Sequence, residues 1–499
     1  MPSQIPKKEL DTAYKKIKAL MGFLSSDSER YLEKDVIGYV MPDAMHSYML
    51  GGLRTYSHVL GELGETPQEV ADEIVSKVRR ENVPFKLTRK WEDKIRHDIR
   101  GMVRNAQRVL STRAKNFLYP GLTSYDLVNT AHGMARKDFA YELMIPKSIE
   151  FSRSLIGRGR EHKDTVLTGR THKQHAAATT VAHYFSEILG GFIPGISGYR
   201  NSADELRGKL SGFVGTNATK VLLFDTDPEE IDRRFFELIG LKRDETTGQV
   251  VHQYWYNKYF SEFVNTLGSI AKFANDVRNY QQTEVGEMFE QMLDEQVGSS
   301  TGAHKKNPIT TEQLCGMRWT QLVAQLFASY ADFMTDFQRD LRDSANKRIY
   351  IENMTNLGYG MIKKATNVAK KMTIRKEKMA ENLGITQGLI CAEPLQTYLQ
   401  RWLGLNTDRF FDAHEYVRKL SDKARKEGKS FIDLAKKRKI IQRALQDAPE
   451  EKKEMILNPE KYLGTCLKGF ERDSQKWEKE LYSLEKDVEK HIEMASNRI

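Results

Sequence analysis

The stretch YWYNKYFSEFVNTLGSIAKFANDVRNYQQTEVGEMFE, residues 254–290, decides the fold class. Its apolar side chains recur at helical spacing, at positions Phe260, Val264, Leu267 and Ile270. None of the chain's 13 prolines falls within residues 229–307 or 309–393, so helices can run there for many turns. Several long helices, each with one apolar face to bury, are typical of a helical bundle.

Long helices are also predicted on both sides of this stretch. We expect them over residues 132–156, 179–208 and 311–341, with Pro146 and Pro194 as kinks in the first two. Strand-like alternation is scarce and is confined to short runs such as residues 220–224.

The last part of the chain differs from the middle. From about residue 376 it is rich in Lys and Glu, with shorter helices. The final helix places its apolar side chains on one face, which predicts packing: Trp477, Leu481, Leu484, Val488 and Ile492. We therefore expect an all-α fold of three helical domains, with boundaries at 1–120, at 121–375 for the central long-helix bundle, and at 376–499.

Composition limits the class of protein. The chain has 499 residues, of which 39% are hydrophobic and 29% charged, as in a soluble globular protein. No run of about 18 apolar residues and no signal or transit peptide is visible, so we expect a cytoplasmic protein without a membrane partner. The three cysteines lie far apart and give no metal-site spacing, and neither a metal nor a cofactor is expected. The net charge is +10, but the basic side chains are interleaved with acidic ones. This pattern favours solvated helix faces and one pocket for an anionic substrate over a nucleic-acid partner.

A loop near the middle of the chain is the most informative motif. Residues 298–313 read GSSTGAHKKNPITTEQ, a flexible Gly-Ser-Ser segment that leads into a helix. Asn307 suits the N-cap, Pro308 the first helical position, and Glu312 the first turn. Lys305 and the amides at that helix start would hold a carboxylate or phosphate. The residues alone leave open the alternative of a solvated basic loop capped by Asn307.

The same loop resembles the signature GSSxMPxKxNP of the aspartase/fumarase superfamily, whose members release fumarate. The match includes Ser299, Lys305, Asn307 and Pro308, whereas Gly302 and Ala303 replace the Met-Pro pair. The resemblance implies that Ser299 is the base that removes the Cβ proton of a succinyl group. It also implies that Lys305 and Asn307 bind the succinyl carboxylates.

Two further blocks are similar to superfamily elements and come in the same order. GLTSYDLVNTA, residues 121–131, implies that Thr123 and Ser124 bind a substrate carboxylate. GRTHKQHAAATT, residues 169–180, implies that Thr171 contacts substrate and that His172 is the general acid. Glu312 then matches the carboxylate that orients this histidine and favours its protonated form.

Other elements resemble the adenylosuccinate lyase family within the superfamily. KIRHDIRGMVRNAQ, residues 94–107, implies substrate contacts for His97 and Asp98, and TGQVVHQYW implies one for Gln249. FQRDLRDSANKR, residues 337–348, suggests a phosphate grip made of Arg339, Ser344 and Arg348. Ser344 and Arg348 lie one turn apart if the segment is helical.

Two more parts of the chain take part in this resemblance. Tyr39 matches the tyrosine of an N-terminal Arg-Tyr pair whose arginine is Gly38 here. MAENLGITQGLICAEPL, residues 379–395, implies the family's C-terminal helical domain.

The resemblance implies a C–N lyase that eliminates fumarate from adenylosuccinate and from the succinylated imidazole-carboxamide ribotide, in purine biosynthesis. It also implies a homotetramer in which subunits share each active site. Two alternatives remain: another fumarate-releasing lyase, such as an argininosuccinate lyase, and a nucleotide-binding paralogue without activity. The chain departs from the family pattern at Gly38, Tyr119, Lys173, His175, Ala178, Gln253 and residues 302–304.

Overall fold

The computed structural model describes residue 8 and residues 11–16, 31–408 and 410–499, without the side chains of 319–321. Its α-helices are α1 (Ile37–Val40), α2 (Pro42–Glu62), α3 (Gln68–Lys77), α4 (Phe85–Ile95), α5 (Asp98–Gln107), α6 (Thr112–Phe117), α7 (Ser124–Phe139), α8 (Ile145–Glu161), α9 (Val181–Asp204), α10 (Ala218–Leu223), α11 (Pro228–Ile239), α12 (Gln253–Tyr280), α13 (Ile309–Gly316), α14 (Ala324–Tyr330), α15 (Arg342–Lys371), α16 (Lys376–Gly384), α17 (Ala392–Asn406), α18 (Ala413–Glu427), α19 (Phe431–Lys436), α20 (Lys439–Gln446), α21 (Glu450–Leu457) and α22 (Cys466–Ser496).

The strands of the described residues are short and pair in twos. They are β1 (Val166–Thr171) with β2 (Gln174–Thr180), β3 (Arg207–Gly208) with β4 (Lys242–Arg243), and β5 (Met288–Phe289) with β6 (Thr373–Ile374). The β3–β4 pair is parallel and the other two pairs are antiparallel. The prediction of an all-α fold is confirmed.

Long helices build the central bundle. Helices α7 and α8 are joined by a π-helical turn at Ala140–Met144, and Pro146 occupies the first turn of α8. Helix α9 continues through Pro194. Helices α9 and α12 run antiparallel, because Tyr199 packs on Tyr259 with ring centroids 5.1 Å apart while Tyr184 packs on Tyr280 at 5.6 Å.

The length of α12 sets the scale of the molecule. A helix of 28 residues is about 42 Å long. The start of α15 lies beside the start of α12, where Gln253 donates a hydrogen bond to Tyr350 at 3.2 Å. The start of α9 lies at the opposite end, next to Tyr280. The loop that directly follows α12 is therefore about one helix length away from the residues that directly precede it, within one chain.

Two predicted elements are wrong. Residues 311–341 do not form one helix, because after Phe333 the chain leaves helical geometry until α15 begins. The Asp340 carboxylate accepts the amides of Asp336 and Arg342, both at 2.7 Å, and such local bonds compete with helical ones. The strand-like run at 220–224 forms helix α10 instead, with Lys220 turned inward onto Asp232 of α11.

In the described ranges, the buried side chains form three large clusters. The central cluster belongs to the bundle, one N-terminal cluster spans Leu50 to Leu127, and one C-terminal cluster spans Leu383 to Ile456. Helix α22 packs on the central bundle through Trp477, Leu481, Leu484 and Val488, whereas Ile492 is more exposed. The three-domain division stays a prediction. In the part of the chain that the structure describes, no helix is long and apolar enough to cross a membrane.

Candidate active site

Several predicted site residues meet at the start of α12. The Arg339 guanidinium donates to Gln249 Oε1 at 2.9 Å, and Gln249 Nε2 donates to the carbonyl of Phe213 at 3.1 Å. The Arg339 guanidinium carbon lies 3.5 Å from the centroid of the Tyr125 ring, a cation–π contact. Burial raises the pKa of Tyr125, and the nearby Arg339 charge acts in the opposite direction. The arginine is thus fixed on two sides.

Helix α5 brings two more predicted residues to this region. His97 is its N-cap, and its Nδ1 accepts the amide of Arg100 at 3.3 Å. Because Nδ1 is the acceptor, a neutral ring carries its proton on Nε2, on a half-exposed side chain. Asp98 follows, and Arg348 Nη2 lies 4.0 Å from its carboxylate.

Thr123 and Ser124 lie at the start of α7. Thr123 caps this helix in a reciprocal capping box, in which Asp126 accepts the Thr123 amide at 2.8 Å. Asp126 forms a fully buried ion pair with Lys209 and also accepts the amide of Gly212 at 3.2 Å. The conformation of this turn is therefore determined by buried charge beneath it.

Helix α15 supplies the last members of the group. Ser344 lies in its first turn and Arg348 one turn later, so the predicted helical face is confirmed. Arg339 precedes the helix. We call this group the start cluster, and it consists of His97, Asp98, Thr123, Ser124, Tyr125, Gln249, Arg339, Ser344 and Arg348.

The loop of residues 291–308 lies at the other end of α12; because the sequence predicts the base there, we refer to it as the catalytic loop. Ser299 Oγ accepts the amides of Gly302 at 3.1 Å and Thr301 at 3.4 Å. Lys305 is exposed, and Glu312 is exposed in the first turn of α13. Two amide donors directed at one hydroxyl oxygen stabilise negative charge on it.

The expected role of Asn307 as an N-cap is wrong. Asn307 Nδ2 donates to the carbonyl of Gly298 at 2.9 Å, which closes the loop on itself. Glu290 caps α13 instead, because its carboxylate accepts the amides of Thr310 and Thr311, both at 2.9 Å. The sequence predicted that the amides at this helix start would hold a carboxylate or phosphate from the substrate. These two amides are instead occupied by the Glu290 carboxylate.

Gln281, the residue directly after α12, fastens both ends of the loop. Its Nε2 donates to the carbonyl of Lys306 at 3.1 Å, and its Oε1 accepts the amide of Glu290 at 3.0 Å. The catalytic loop therefore leaves and re-enters the bundle at one fixed point.

Thr171 and His172 lie at the tip of the β1–β2 hairpin. His172 and Lys173 form its two-residue turn and have φ angles of 51° and 62°. Such a turn needs positive φ at both positions, which usually selects Gly or Asn. Among the described residues, no hydrogen bond or ion pair reaches the exposed His172 ring. Arg170 ties the hairpin to Glu287, at the same end of the bundle as the catalytic loop.

Tyr39 does not join these groups. It is 4% exposed, its hydroxyl donates to Glu142 at 2.9 Å, and its ring packs edge-on against Phe139 in the core. We therefore remove Tyr39 from the candidate site of the single chain.

Within one chain the predicted residues form two separate groups. The start cluster lies in space at the N-terminal end of α12. The catalytic loop and the hairpin lie at its C-terminal end, about 42 Å away. Sequence reasoning missed Tyr125, Asp126 and Glu290, although Tyr125 and Asp126 stand inside the quoted block GLTSYDLVNTA. In the described part of the chain, no group of three or more metal-ligating side chains is found.

Comparison with known proteins places this geometry in a family. A sequence model of the family described as "Lyase" matches residues 27–320. The adenylosuccinate lyase of Pyrococcus abyssi is 31% identical to the chain over 81% of this chain and 86% of its own length. The adenylosuccinate lyase of Methanothermobacter thermautotrophicus is 31% identical over 84% and 91%.

Solved structures confirm the fold. The 3-carboxy-cis,cis-muconate lactonizing enzyme of Pseudomonas putida superposes with a TM-score of 0.76 at 21% identity, covering 90% of this chain and 98% of that one. A fumarate lyase of Mesorhizobium sp. BNC1 gives 0.76 at 18% identity, covering 89% and 98%. The chain therefore belongs to the adenylosuccinate lyase family of the aspartase/fumarase superfamily, and it is a lyase.

Proposed function

We propose that the chain eliminates fumarate from adenylosuccinate, which gives AMP, and from the succinylated imidazole-carboxamide ribotide (SAICAR, giving AICAR), in purine biosynthesis. The observation that carries the proposal is the fixed Arg339. Its guanidinium is held by the Gln249 amide and the Tyr125 ring, close to the start of a 30-residue helix. A rigid arginine beside a helix N-terminus is suited to a phosphate.

The start cluster supports a nucleotide subsite in further ways. The N-termini of α5, α7 and α15 all lie in it, and each favours an anion. Arg348 is exposed and adds a second guanidinium. A lyase for a substrate without phosphate, such as argininosuccinate, has no need for this grip, so the nucleotide substrate is favoured.

The catalytic loop supports the chemistry of elimination. The base must remove a weakly acidic C–H proton, and Ser299 has two amide donors that stabilise the charge on its oxygen. Lys305, exposed on the same loop, would bind the carboxylate that becomes doubly charged after proton loss. His172 would donate a proton to the leaving nitrogen. Its ring has no partner within the described part of one chain, so Glu312 would have to orient it from a neighbouring subunit.

We further propose that the chain acts as a homotetramer with shared active sites. The base and the phosphate grip are separated by the length of α12 in one chain, too far to meet on one nucleotide. A partner subunit that packs antiparallel would bring its start cluster beside this chain's catalytic loop. Large apolar side chains near α14 and α15 are exposed and suit such packing: Phe327, Phe333, Met334, Phe337, Leu341 and Ile349.

The proposal is tested by measuring fumarate release from adenylosuccinate and from argininosuccinate by the purified protein. Release from adenylosuccinate alone is expected. Ser299→Ala should lower kcat at least about 10²-fold, the typical minimum for a proton-transfer group, with the unfolding midpoint unchanged. Tight AMP binding without fumarate release would contradict the proposal and support the non-catalytic paralogue. Release from argininosuccinate would support the other lyase.

A further inference from the structure

Helices α4 and α5 form a close hairpin beside the start cluster. Asn105 Nδ2 of α5 donates to Thr88 Oγ1 at 3.0 Å and to the carbonyl of Pro84 at 3.1 Å. Nearer the turn, a Cβ at Gly101 would lie 3.0 Å from the backbone nitrogen of Glu92, so glycine permits the close approach of the two backbones. The two helices therefore run antiparallel, with their buried sides fixed against each other.

The outer surface of this hairpin carries two rows of cations at four-residue spacing, which places neighbours within a helix on one face. Helix α4 supplies the lysines, and α5 with its flanking residues supplies the arginines. We call them the basic rows: Lys86, Lys90 and Lys94 in the first, and Arg96, Arg100, Arg104 and Arg108 in the second. All seven residues are exposed, and none of them forms an ion pair in the part of the chain that the structure describes.

Acidic residues do not balance this charge. Residues 86–115 contain ten basic and three acidic side chains, a net charge of +7, compared with +10 for the whole chain. Glu92 pairs with Arg89 at 2.8 Å, outside the basic rows. The charges are therefore not interleaved in this hairpin, and its unpaired cations create a local positive potential.

The basic rows meet at one aromatic ring and lead to the start cluster. Lys94 Nζ and the Arg104 guanidinium carbon lie 5.7 and 5.3 Å from the centroid of the Trp91 ring. His97 and Asp98, at the start of α5, belong to the start cluster. At a rise of about 1.5 Å per residue, every member of the rows lies within roughly 17 Å of His97 along the helix axes. The potential of the rows therefore extends over the start cluster, above all at low salt, where the Debye length is about 30 Å.

We propose that the basic rows are an approach surface that steers the anionic substrate to the start cluster. A succinylated nucleotide carries two carboxylates and a phosphate of charge about −1.5 to −2, so its total charge is about −4. A positive surface beside a site raises the local concentration of such a substrate and its association rate by about 10–10³-fold. This inference rests on the proposed function, and it adds a surface that determines how fast the substrate arrives.

Nucleic acid is the other polyanion that such a surface attracts. The rows are continuous through His97 with the start cluster, where Arg339 also has no carboxylate partner among the described residues. One small anionic substrate accounts for both features and is therefore favoured.

The test reverses charge in the first row with the double variant Lys86→Glu, Lys90→Glu. Both residues are exposed, and neither side chain has a hydrogen-bond partner in the described part of the chain. At an ionic strength of about 0.01 M we expect kcat/KM for adenylosuccinate to fall about tenfold or more. At saturating substrate, kcat should stay within about twofold. The fall in kcat/KM should shrink to within about twofold at about 1 M salt, where the Debye length is about 3 Å.

Two control variants separate local charge from overall charge. Lys86→Arg with Lys90→Arg keeps the charge of the row and should leave kcat/KM unchanged. Lys479→Glu with Lys490→Glu changes the net charge equally, from exposed positions on α22. There α22 packs on the C-terminal end of α7 through His491, whereas the start cluster lies at the N-terminal end of α7, about 20 Å away. Its effect on kcat/KM should therefore be at least about threefold smaller than that of the row reversal.

Equal losses in the row and α22 variants would show that net charge alone matters and would overturn the inference. A fall in kcat, or a loss of kcat/KM that persists at about 1 M salt, would also overturn it, because it indicates direct contact rather than steering. Salt-dependent binding of single-stranded RNA that the row reversal abolishes, with kcat/KM unchanged, would assign the surface to nucleic acid instead. In each of these outcomes wild type still releases fumarate from adenylosuccinate, so the proposed function stands. Without that release, the proposed function fails and this inference fails with it.

Discussion

Arg170 forms a bidentate ion pair with Glu287. The two nitrogens donate to the two carboxylate oxygens at 2.8 and 2.6 Å, and the Glu287 side chain is 0% exposed. Asn382 Nδ2 donates to the same carboxylate at 2.8 Å. This pair holds the hairpin that carries His172 against the C-terminal end of α12. Arg170 is two residues before His172, so its ion pair with Glu287 fixes the position of the hairpin tip.

Removing one partner of this pair should be costly. Arg170→Met leaves a buried carboxylate without its charge partner, so we expect the free energy of unfolding to fall by about 3 kcal/mol. Arg153 and Glu485 form a matched pair in which both side chains are about one-third exposed or more. Arg153→Met should therefore cost less than about 1 kcal/mol. Urea unfolding of the two variants measures both values, and equal losses would show that burial does not strengthen the Arg170–Glu287 pair.

The strained hairpin turn leads to a second prediction. Lys173 has a φ of 62°, where glycine is free of the Cβ clash. Lys173→Gly should raise the free energy of unfolding by about 0.5–1 kcal/mol, since the relief of strain exceeds the entropy that glycine adds to the unfolded chain. Lys173→Val should lower it by about 1 kcal/mol or more, because β-branched residues tolerate positive φ poorly. Urea midpoints in the order Gly, Lys, Val, from highest to lowest, would support strain at the tip. A glycine variant less stable than wild type would contradict it.

Much of the architecture could be predicted from local pattern. The 254–290 stretch formed α12 because its apolar spacing and its freedom from proline act locally. The 311–341 prediction failed because apolar residues continue at helical spacing while Asp340 binds nearby amides. Periodicity does not detect such a competitor.

Among the site residues, too, local features could be predicted from the sequence and tertiary contacts could not. The spacing within the motif predicted that Ser344 and Arg348 share one helical face, because residues four positions apart on any α-helix lie about one turn apart. The cap of α13 could not be found this way. Asn307 precedes that helix in sequence, yet Glu290, about twenty residues earlier, fills its N-terminus through a tertiary contact. The buried hydroxyl of Tyr39 likewise has a distant partner, Glu142, about a hundred positions away in the sequence.

A histidine beneath the start cluster should control stability at low pH. Burial lowers the pKa of His132 to about 3, and the charges of Arg136, Lys347 and Arg348 act in the same direction. Because the unfolded value is about 6.5, the unfolded chain binds the proton first, and stability falls as pH falls from about 6.5 towards 3.

His132→Asn should remove this loss. Asparagine keeps an acceptor for Arg136, whose Nη1 lies 3.4 Å from His132 Nδ1. We expect the variant to lose about 2 kcal/mol less stability than wild type between pH 6.5 and 4.5. Urea unfolding across this range measures the difference, with His58→Asn on the more exposed His58 as the control. Parallel pH curves for wild type and His132→Asn would show that His132 is protonated equally in both states.

The separation of the two groups by α12 leads to the last prediction. If the catalytic loop of one subunit works with the start cluster of another, two different inactive variants should restore each other. Ser299→Ala removes the base, and Arg339→Met removes the phosphate grip that Gln249 and Tyr125 hold. In randomly mixed oligomers, a site receives both intact halves from two subunits with a chance of roughly one quarter. Mixing the variants under conditions that exchange subunits should therefore recover up to about a quarter of wild-type fumarate release. Light scattering must show oligomers of one size before and after mixing. If mixed oligomers form and no activity returns, each active site is built within one subunit, and the catalytic loop must then reach the start cluster by a rearrangement across the length of α12.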